Sequence, residues 1–184
     1  QVYISFFRES VLTGQYFRGA KVIMAQAGGA DLTEADFTGA DISQSSFMNA
    51  VLHGAKLDQV TGPRTVFMGA KLNQASFTGA YLPQSSFLEA EASGADFTNA
   101  VLEQSIFEKA VLRAARFNNA NCAYADFSHA DLTAADFTGA DASRVNLHRT
   151  RQDHAIWRGC TKTLAKGDDP DLARAEDWPV LRFN

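Results

Sequence analysis

The chain repeats every five residues, with no insertion or deletion, from Phe7 to Trp157. Every fifth residue in that stretch is apolar except Gly62 and Gln152, and the residue two places earlier is small, usually Ala. Phe recurs at ten-residue spacing from Phe67 to Phe137, with Leu72, Leu82, Leu102, Leu112 and Leu132 between. A period of five fits neither a helix at 3.6 nor a strand at 2. An amphipathic helix would smear these residues around its whole surface. For all of them to point inward, the chain must turn by the same angle every five residues and stack coil on coil. A four-sided coil keeps Phe on two opposite walls and aliphatics on the other two. A five-sided coil would lose that alternation from one coil to the next.

The blocks Ala30-Asp31-Leu32-Thr33-Glu34, Ala95-Asp96-Phe97-Thr98-Asn99 and Ala135-Asp136-Phe137-Thr138-Gly139 resemble the A(D/N)LXX unit of pentapeptide-repeat proteins. The resemblance covers roughly residues 5–159. It implies an all-β fold, a right-handed quadrilateral β-helix over 1–159, with about seven to eight coils. At about 4.8 Å per coil the rod is about 35–40 Å long. Each buried Phe or Leu contributes roughly 1.5–3 kcal/mol, so the core suffices against the entropy of ordering.

Two regions depart from the repeat. Thr61-Gly62-Pro63-Arg64-Thr65 keeps the count but empties a core position and removes a backbone donor, which predicts a local kink or loosened corner. Val60 and Thr65 are the candidates to refill the space. After Leu147 the pattern decays, and 160–184 is expected to be a C-terminal capping segment. Asp169 and Pro170 form a helix start, predicting a short α-helix near 170–177. A solenoid end needs covering, and Trp157, Leu172, Trp178 and Val180 are the candidates. At the other end the chain starts Gln-Val-Tyr and is in register at once, without a polar cap. An upstream domain is expected to cover it.

Charge narrows the function classes. The chain has 17 basic and 21 acidic residues, net −4, which argues against a basic nucleic-acid footprint and so against direct nucleic-acid binding. No apolar run approaches the roughly 20 residues that span a bilayer, so no membrane partner is expected. Two cysteines do not make a disulfide scaffold, and the composition suits a reducing cytoplasm, a bacterial one by what the resemblance implies.

Catalytic signals are missing: no phosphate loop, no nucleophile elbow, no metal pair at helical spacing. No catalytic residue, metal or cofactor is predicted. Asp31, Asp36, Asp41, Asp126, Asp131, Asp136 and Asp141 each precede an inward residue on different walls, which predicts a solvated acidic belt. His148, Asp153, His154 and Cys160 carry donor atoms at a spacing that matches no zinc finger. Cys122 falls on a core position and reads as a small buried residue.

The register also predicts what faces outward, because residues twenty apart stack. Met48, Met68 and Leu88 form one exposed column, Val66 and Ile106 a second, and Tyr81 and Val101, with Pro63 and Pro83, lie on the preceding wall. These residues predict an apolar patch spread over two adjoining walls, the candidate protein-binding site. Met suits an adaptable surface. The reading that follows is a non-enzymatic interaction scaffold.

The resemblance adds a context. Such repeat domains form the C-terminal module of bacterial accessory proteins of type VI secretion, adaptors or chaperones that connect an effector to the secretion spike. It also supplies an alternative, since fluoroquinolone-resistance members bind DNA gyrase by mimicking duplex DNA. That needs a continuous acidic column. The best column here reads Asp36, Lys56, Ser76, Asp96, Arg116, Asp136.

Overall fold

The structure is a computed structural model that describes residues 2–3 and 6–177. Regular strands are nearly absent. β1 (Val2–Tyr3) and β2 (Val22–Ile23) pair in parallel, and α1 spans Pro170–Glu176. Everything between is a four-sided coil held by isolated parallel bridges twenty residues apart. One ladder runs from Phe6 through Gln26, Ser46 and Val66 to Asn146 and Lys166. The expected β architecture is therefore built from very short segments. The chain turns before a strand can lengthen.

Four walls follow from the register. Wall A carries Phe47, Phe67, Phe87, Phe107 and Phe127; wall B carries Leu52, Leu72 and Leu112; wall C carries Phe77, Phe97, Phe117 and Phe137; wall D carries Ile42, Leu82 and Leu102. All of these side chains are buried. Rings stack flat along each Phe wall, as Phe117 does on Phe137 at 4.5 Å. Across the core the two Phe walls meet edge-on, as Phe77 meets Phe87 at 5.8 Å and 83°.

Each corner is one tight turn. The residue three places on returns its N–H to the core carbonyl, as in Ala35 to Leu32 at 3.0 Å. The second corner residue has positive φ at every turn from Glu9 to Leu164, including Gln44 at 58° and Tyr124 at 61°. Positive φ costs an L-residue roughly 1–2 kcal/mol, so the closed coil imposes this conformation against local preference.

The first corner residue keeps its N–H out of the ladder. Where the residue before the core position is Asp, its Oδ1 accepts that N–H: Asp31 from Thr33 at 3.0 Å, Asp36 from Thr38 at 2.9 Å, Asp126 from Ser128 at 2.8 Å, Asp136 from Thr138 at 2.9 Å. Asp41, Asp131 and Asp141 do the same. The acidic belt is thus folded back on its own turns rather than freely solvated.

The Gly62-Pro63 stretch shows neither kink nor loosened corner. Its ladder bonds continue, with Gly62 N–H to the Tyr81 carbonyl at 2.8 Å and Arg64 N–H to the Pro83 carbonyl at 3.0 Å. Pro63 stands where the ladder needs no donor, and its fixed φ suits the first turn position. Nor is the core position empty. A Cβ on Gly62 would lie 2.8 Å from both Ile42 Cγ1 and Leu82 Cδ2 and 2.9 Å from Thr65 Oγ1. The neighbours above and below, with Thr65, fill the space.

At the C-terminal end Trp157 extends the wall C stack, 4.3 Å from Phe137, with Lys162 Nζ over its ring at 4.7 Å. Asp169 caps α1, accepting from the N–H groups of Asp171 and Leu172. Leu172 is exposed and no residue of α1 is buried; among the described residues polar contacts hold the helix. Trp178 and Val180 lie outside the described residues. No helix among the described residues is long and apolar enough to cross a membrane.

Candidate protein-interaction surface

Met48, Met68 and Leu88 occupy the first corner position of wall A in three successive coils. They stack in register: Asn49 N–H donates to the Met68 carbonyl and Gly69 N–H to the Leu88 carbonyl, both at 2.9 Å. Met48 is 40% exposed; Met68 and Leu88 are half-buried. On the other side of the buried Phe column lie half-buried Val66 and exposed Ile106, separated by Ser86. The equivalent first corner positions of wall C are Thr38, Asp58, Thr78, Thr98, Asn118 and Thr138. Wall A is apolar at this position in these coils where wall C is polar.

Tyr81, 50% exposed, and half-buried Val101 pair as neighbours on wall D. A depression of about 390 Å³ beside them is lined by Gln44, Pro63, Arg64, Tyr81, Pro83 and Gln84. The structure does not merge them with the Met column. Between the two walls runs a hydrogen-bonded corner: Arg64 Nε donates to Gln84 at 3.0 Å, and Gln84 Nε2 to Gln104 at 2.9 Å. The predicted patch is two apolar strips flanking a polar ridge. Sequence register places residues along a column, but it does not show how corner side chains interlock.

The apolar strip also changes the turn beneath it. Val66 and Ile106 stand at the wall A position that Ser46, Ser86 and Asp126 hold in neighbouring coils. Among the described residues no side chain accepts the N–H of Met68 or Glu108, whereas Thr38 and Thr138 have theirs accepted by Asp36 and Asp136. These coils give up a local hydrogen bond and present Val and Ile outward instead.

Sequence inspection missed a second exposed group on the first coils: Phe6 at 73%, Val11 and Tyr16 at 81% exposed in the last case. They hold the outward positions beside Phe7, Leu12 and Phe17, so the same register rule would have found them.

Of the four residues with metal-binding donors, His148 stands apart from Asp153 and His154, which are exposed, and from Cys160. It meets His129 and Glu176 instead, with donor atoms all within 4.8 Å of one another. Each imidazole Nε2 lies 3.3 Å from a Glu176 oxygen. The Asp169 N–H donates to His148 Nδ1 at 3.0 Å, so the proton of neutral His148 sits on Nε2 and points at Glu176. A cation on that Nε2 requires the opposite tautomer. The cluster reads as a latch for α1, joined by Arg149, which lies 3.2 Å from Glu176 and 2.6 Å from Asp177. No buried side-chain nitrogen or oxygen among the described residues lacks a hydrogen-bond partner. Cys122 is buried in the core, and burial pushes its thiol pKa far up.

The family model for pentapeptide repeats matches eight copies, over residues 25–61, 65–104, 95–133 and 110–151. The chain belongs to the pentapeptide-repeat family. Members are in general non-enzymatic interaction proteins. Among solved structures, QnrB1, a plasmid-mediated fluoroquinolone resistance protein, in a trypsin-treated form, is similar at 17% identity. That match covers 96% of this chain and 98% of QnrB1, with a TM-score of 0.59. A pentapeptide-repeat protein from the cyanobacterium Cyanothece 51142 is 20% identical, over 64% of this chain and 90% of that one, with a TM-score of 0.51. At these identities the likeness bears on fold alone, and that fold is the right-handed quadrilateral β-helix of pentapeptide-repeat proteins. No curated protein matches the chain.

Proposed function

We propose that this pentapeptide-repeat chain is a rigid rod that captures a protein partner on the wall A strip of Met48, Val66, Met68, Leu88 and Ile106, with Tyr81 and Val101 as a second contact on wall D. The observation that carries the reading is the outward placement of Val66 and Ile106, on the wall where Asp126 bonds its own turn, beside a stacked Met48–Met68–Leu88 column. Exposed contiguous apolar surface marks interaction sites, and Met adapts to a partner's shape. The finer role is that of a cytoplasmic bacterial adaptor or chaperone, the C-terminal module of a larger protein, linking a secretion effector to a type VI spike. It rests on the family resemblance alone.

The alternative is DNA mimicry toward gyrase, in keeping with the fold likeness to QnrB1. Its contact surface would be the wall C column. The bridges place Asp36, Lys56, Ser76, Asp96, Arg116 and Asp136 in that order, and Arg116 pairs with Asp96. Alternating charge gives a weaker negative field than a continuous column does.

Affinity capture from bacterial lysate, comparing wild type with Met68→Asp/Leu88→Asp, tests both. Both side chains point outward, so the variant is expected to fold. Secretion components lost in the variant support the adaptor. Gyrase subunits retained by both proteins sink the strip and favour mimicry. A folded variant that captures every wild-type partner also rejects the strip.

A further inference from the structure

We propose that the wall A strip takes a second copy of this chain, laid antiparallel and face to face about a two-fold axis that passes between Met48 and Met68. The repeat sets the register of such a contact. The first corner column of wall A reads Arg8, Gly28, Met48, Met68, Leu88, Glu108. The outward column beside it reads Phe6, Gln26, Ser46, Val66, Ser86, Ile106. An axis lying in the face, along its short strands, keeps each column opposite the same column of the second copy and reverses the order of the coils. The first residue of each column then meets the last.

Shape and charge both fit that reversal. Exposed Phe6 faces exposed Ile106 of the second copy, and Met48 faces Met68 of the second copy at the centre. Leu88 faces Gly28 of the second copy. The Gly28–Gly29 corner carries no side chains and leaves a depression of about 440 Å³, bordered by Arg8, Glu9, Met48 and Asn49, which gives Leu88 a place to enter. Arg8 faces Glu108 of the second copy, and in the adjoining corner column Glu9 faces Lys109 of the second copy. Within one copy Glu89 and Glu108 share the single ammonium of Lys109, so an added guanidinium is the complementary charge. Val66 meets Ser46 of the second copy and gains least. α1 sets the limit of the overlap. It stands beside His129 and His148, past Glu108, and so lies beyond Arg8 of the second copy. Sliding the copies one coil further together would bring Arg8 against Ser128, which is already buried next to the helix, and would part Arg8 from Glu108. At about 4.8 Å per coil the facing columns run about 24 Å. A contact of that length and one wall wide falls below the roughly 800 Å² per partner of a standard interface, so the dimer is weak and concentration-dependent.

The inference rests on the strip being an interaction surface, and sedimentation velocity of the full chain over a concentration series tests it without any other protein. Wild type is expected to pass from monomer to dimer as concentration rises, and Met68→Asp to stay monomeric. Charge reversal then tests the register. Glu108→Arg sets like charges against each other at two symmetric places and is expected to weaken the dimer by at least about tenfold. Arg8→Glu should do the same, and Arg8→Glu/Glu108→Arg should recover most of the loss. A urea midpoint equal to that of wild type, measured where all are monomers, shows that the variants fold. A wild type that stays monomeric at every concentration overturns the proposal; if lysate capture by that monomer still depends on Met68 and Leu88, the strip stands without the dimer. A dimer unmoved by Glu108→Arg, or a double variant no tighter than either single one, also overturns it. Charge rescue in a protein that captures only itself from lysate supports the second copy and sinks the adaptor.

Discussion

Phe87 lies flat on Phe107, ring centroids 4.6 Å apart and planes within 4°. The spacing is that of neighbouring strands, so the coil's rise and the ring stack reinforce each other. From the opposite wall Phe97 meets Phe87 edge-on at 5.6 Å and 89°. Flat stacking along the walls and edge contact across them are both favoured aromatic geometries. Phe107→Ala is therefore expected to cost about 3–5 kcal/mol, read as a lower urea midpoint. Phe107→Leu is expected to cost clearly less, because Leu57 already occupies one place in the wall C Phe column. Equal losses for the two variants would mean that volume does not govern this core.

Much of this was legible in the sequence. The five-residue period fixes which residues face inward, because a uniform corner leaves no other arrangement, and Phe37 to Phe137 are buried accordingly. What register does not encode is side-chain interplay. The Arg64–Gln84–Gln104 corner that divides the apolar patch depends on three long side chains finding one another. The latch of His129, His148 and Glu176 joins residues up to 47 positions apart, outside the repeat's twenty-residue rule. The Gly62 site looked hollow because a repeat pattern counts missing side chains but not how far Ile42 and Leu82 reach into the space.

Gly62→Ala tests that last point. Adding a methyl to a supposedly empty core site would ordinarily stabilise. Here the new Cβ meets Ile42 and Leu82 side-chain atoms at 2.8 Å. Overpacking of this kind costs about 1–3 kcal/mol. A thermal midpoint at or above that of wild type would show that the site does have room.

Ala134→Gly should act in the opposite direction. Ala134 is an exposed corner residue held at φ 58°. Glycine relieves the left-handed penalty but adds entropy to the unfolded chain, leaving a net gain of about 0.5–1 kcal/mol. The check is a higher urea midpoint. A loss would mean that the methyl makes contacts worth more than the strain.

Thiol reactivity distinguishes the two cysteines. Burial raises the pKa of both thiols, and far more for Cys122, which is completely enclosed, than for half-buried Cys160. With a chromogenic disulfide reagent at neutral pH, one equivalent, Cys160, should react in the native protein, and the second only after denaturation. Two equivalents released at one native rate would place Cys122 outside the core.

The acid limb of stability follows from the turn-bonding aspartates. For Asp31 and Asp36, the Thr33 and Thr38 hydroxyl bonds are the largest influence and hold the carboxyl pKa values below normal. At Asp136 burial pushes the pKa up, but bonds from the Thr138 hydroxyl, Asn118 and the Thr138 N–H outweigh it, and the net shift is downward. Asp96 and Asp131 are lowered against burial in the same way. A carboxyl whose folded pKa is depressed contributes stability that is fully present above its unfolded value and lost as pH falls through the folded one. The urea midpoint is thus expected to hold from pH 7 to about 4, near the ordinary Asp value, and to fall below that. Asp136→Asn keeps an oxygen to accept the Thr138 N–H but does not titrate. It should lower the midpoint at pH 7 and lose less than wild type between pH 4 and 2. Superimposable pH profiles for the two proteins would show that the Asp136 carboxylate contributes nothing to the coil beyond the shape of its turn.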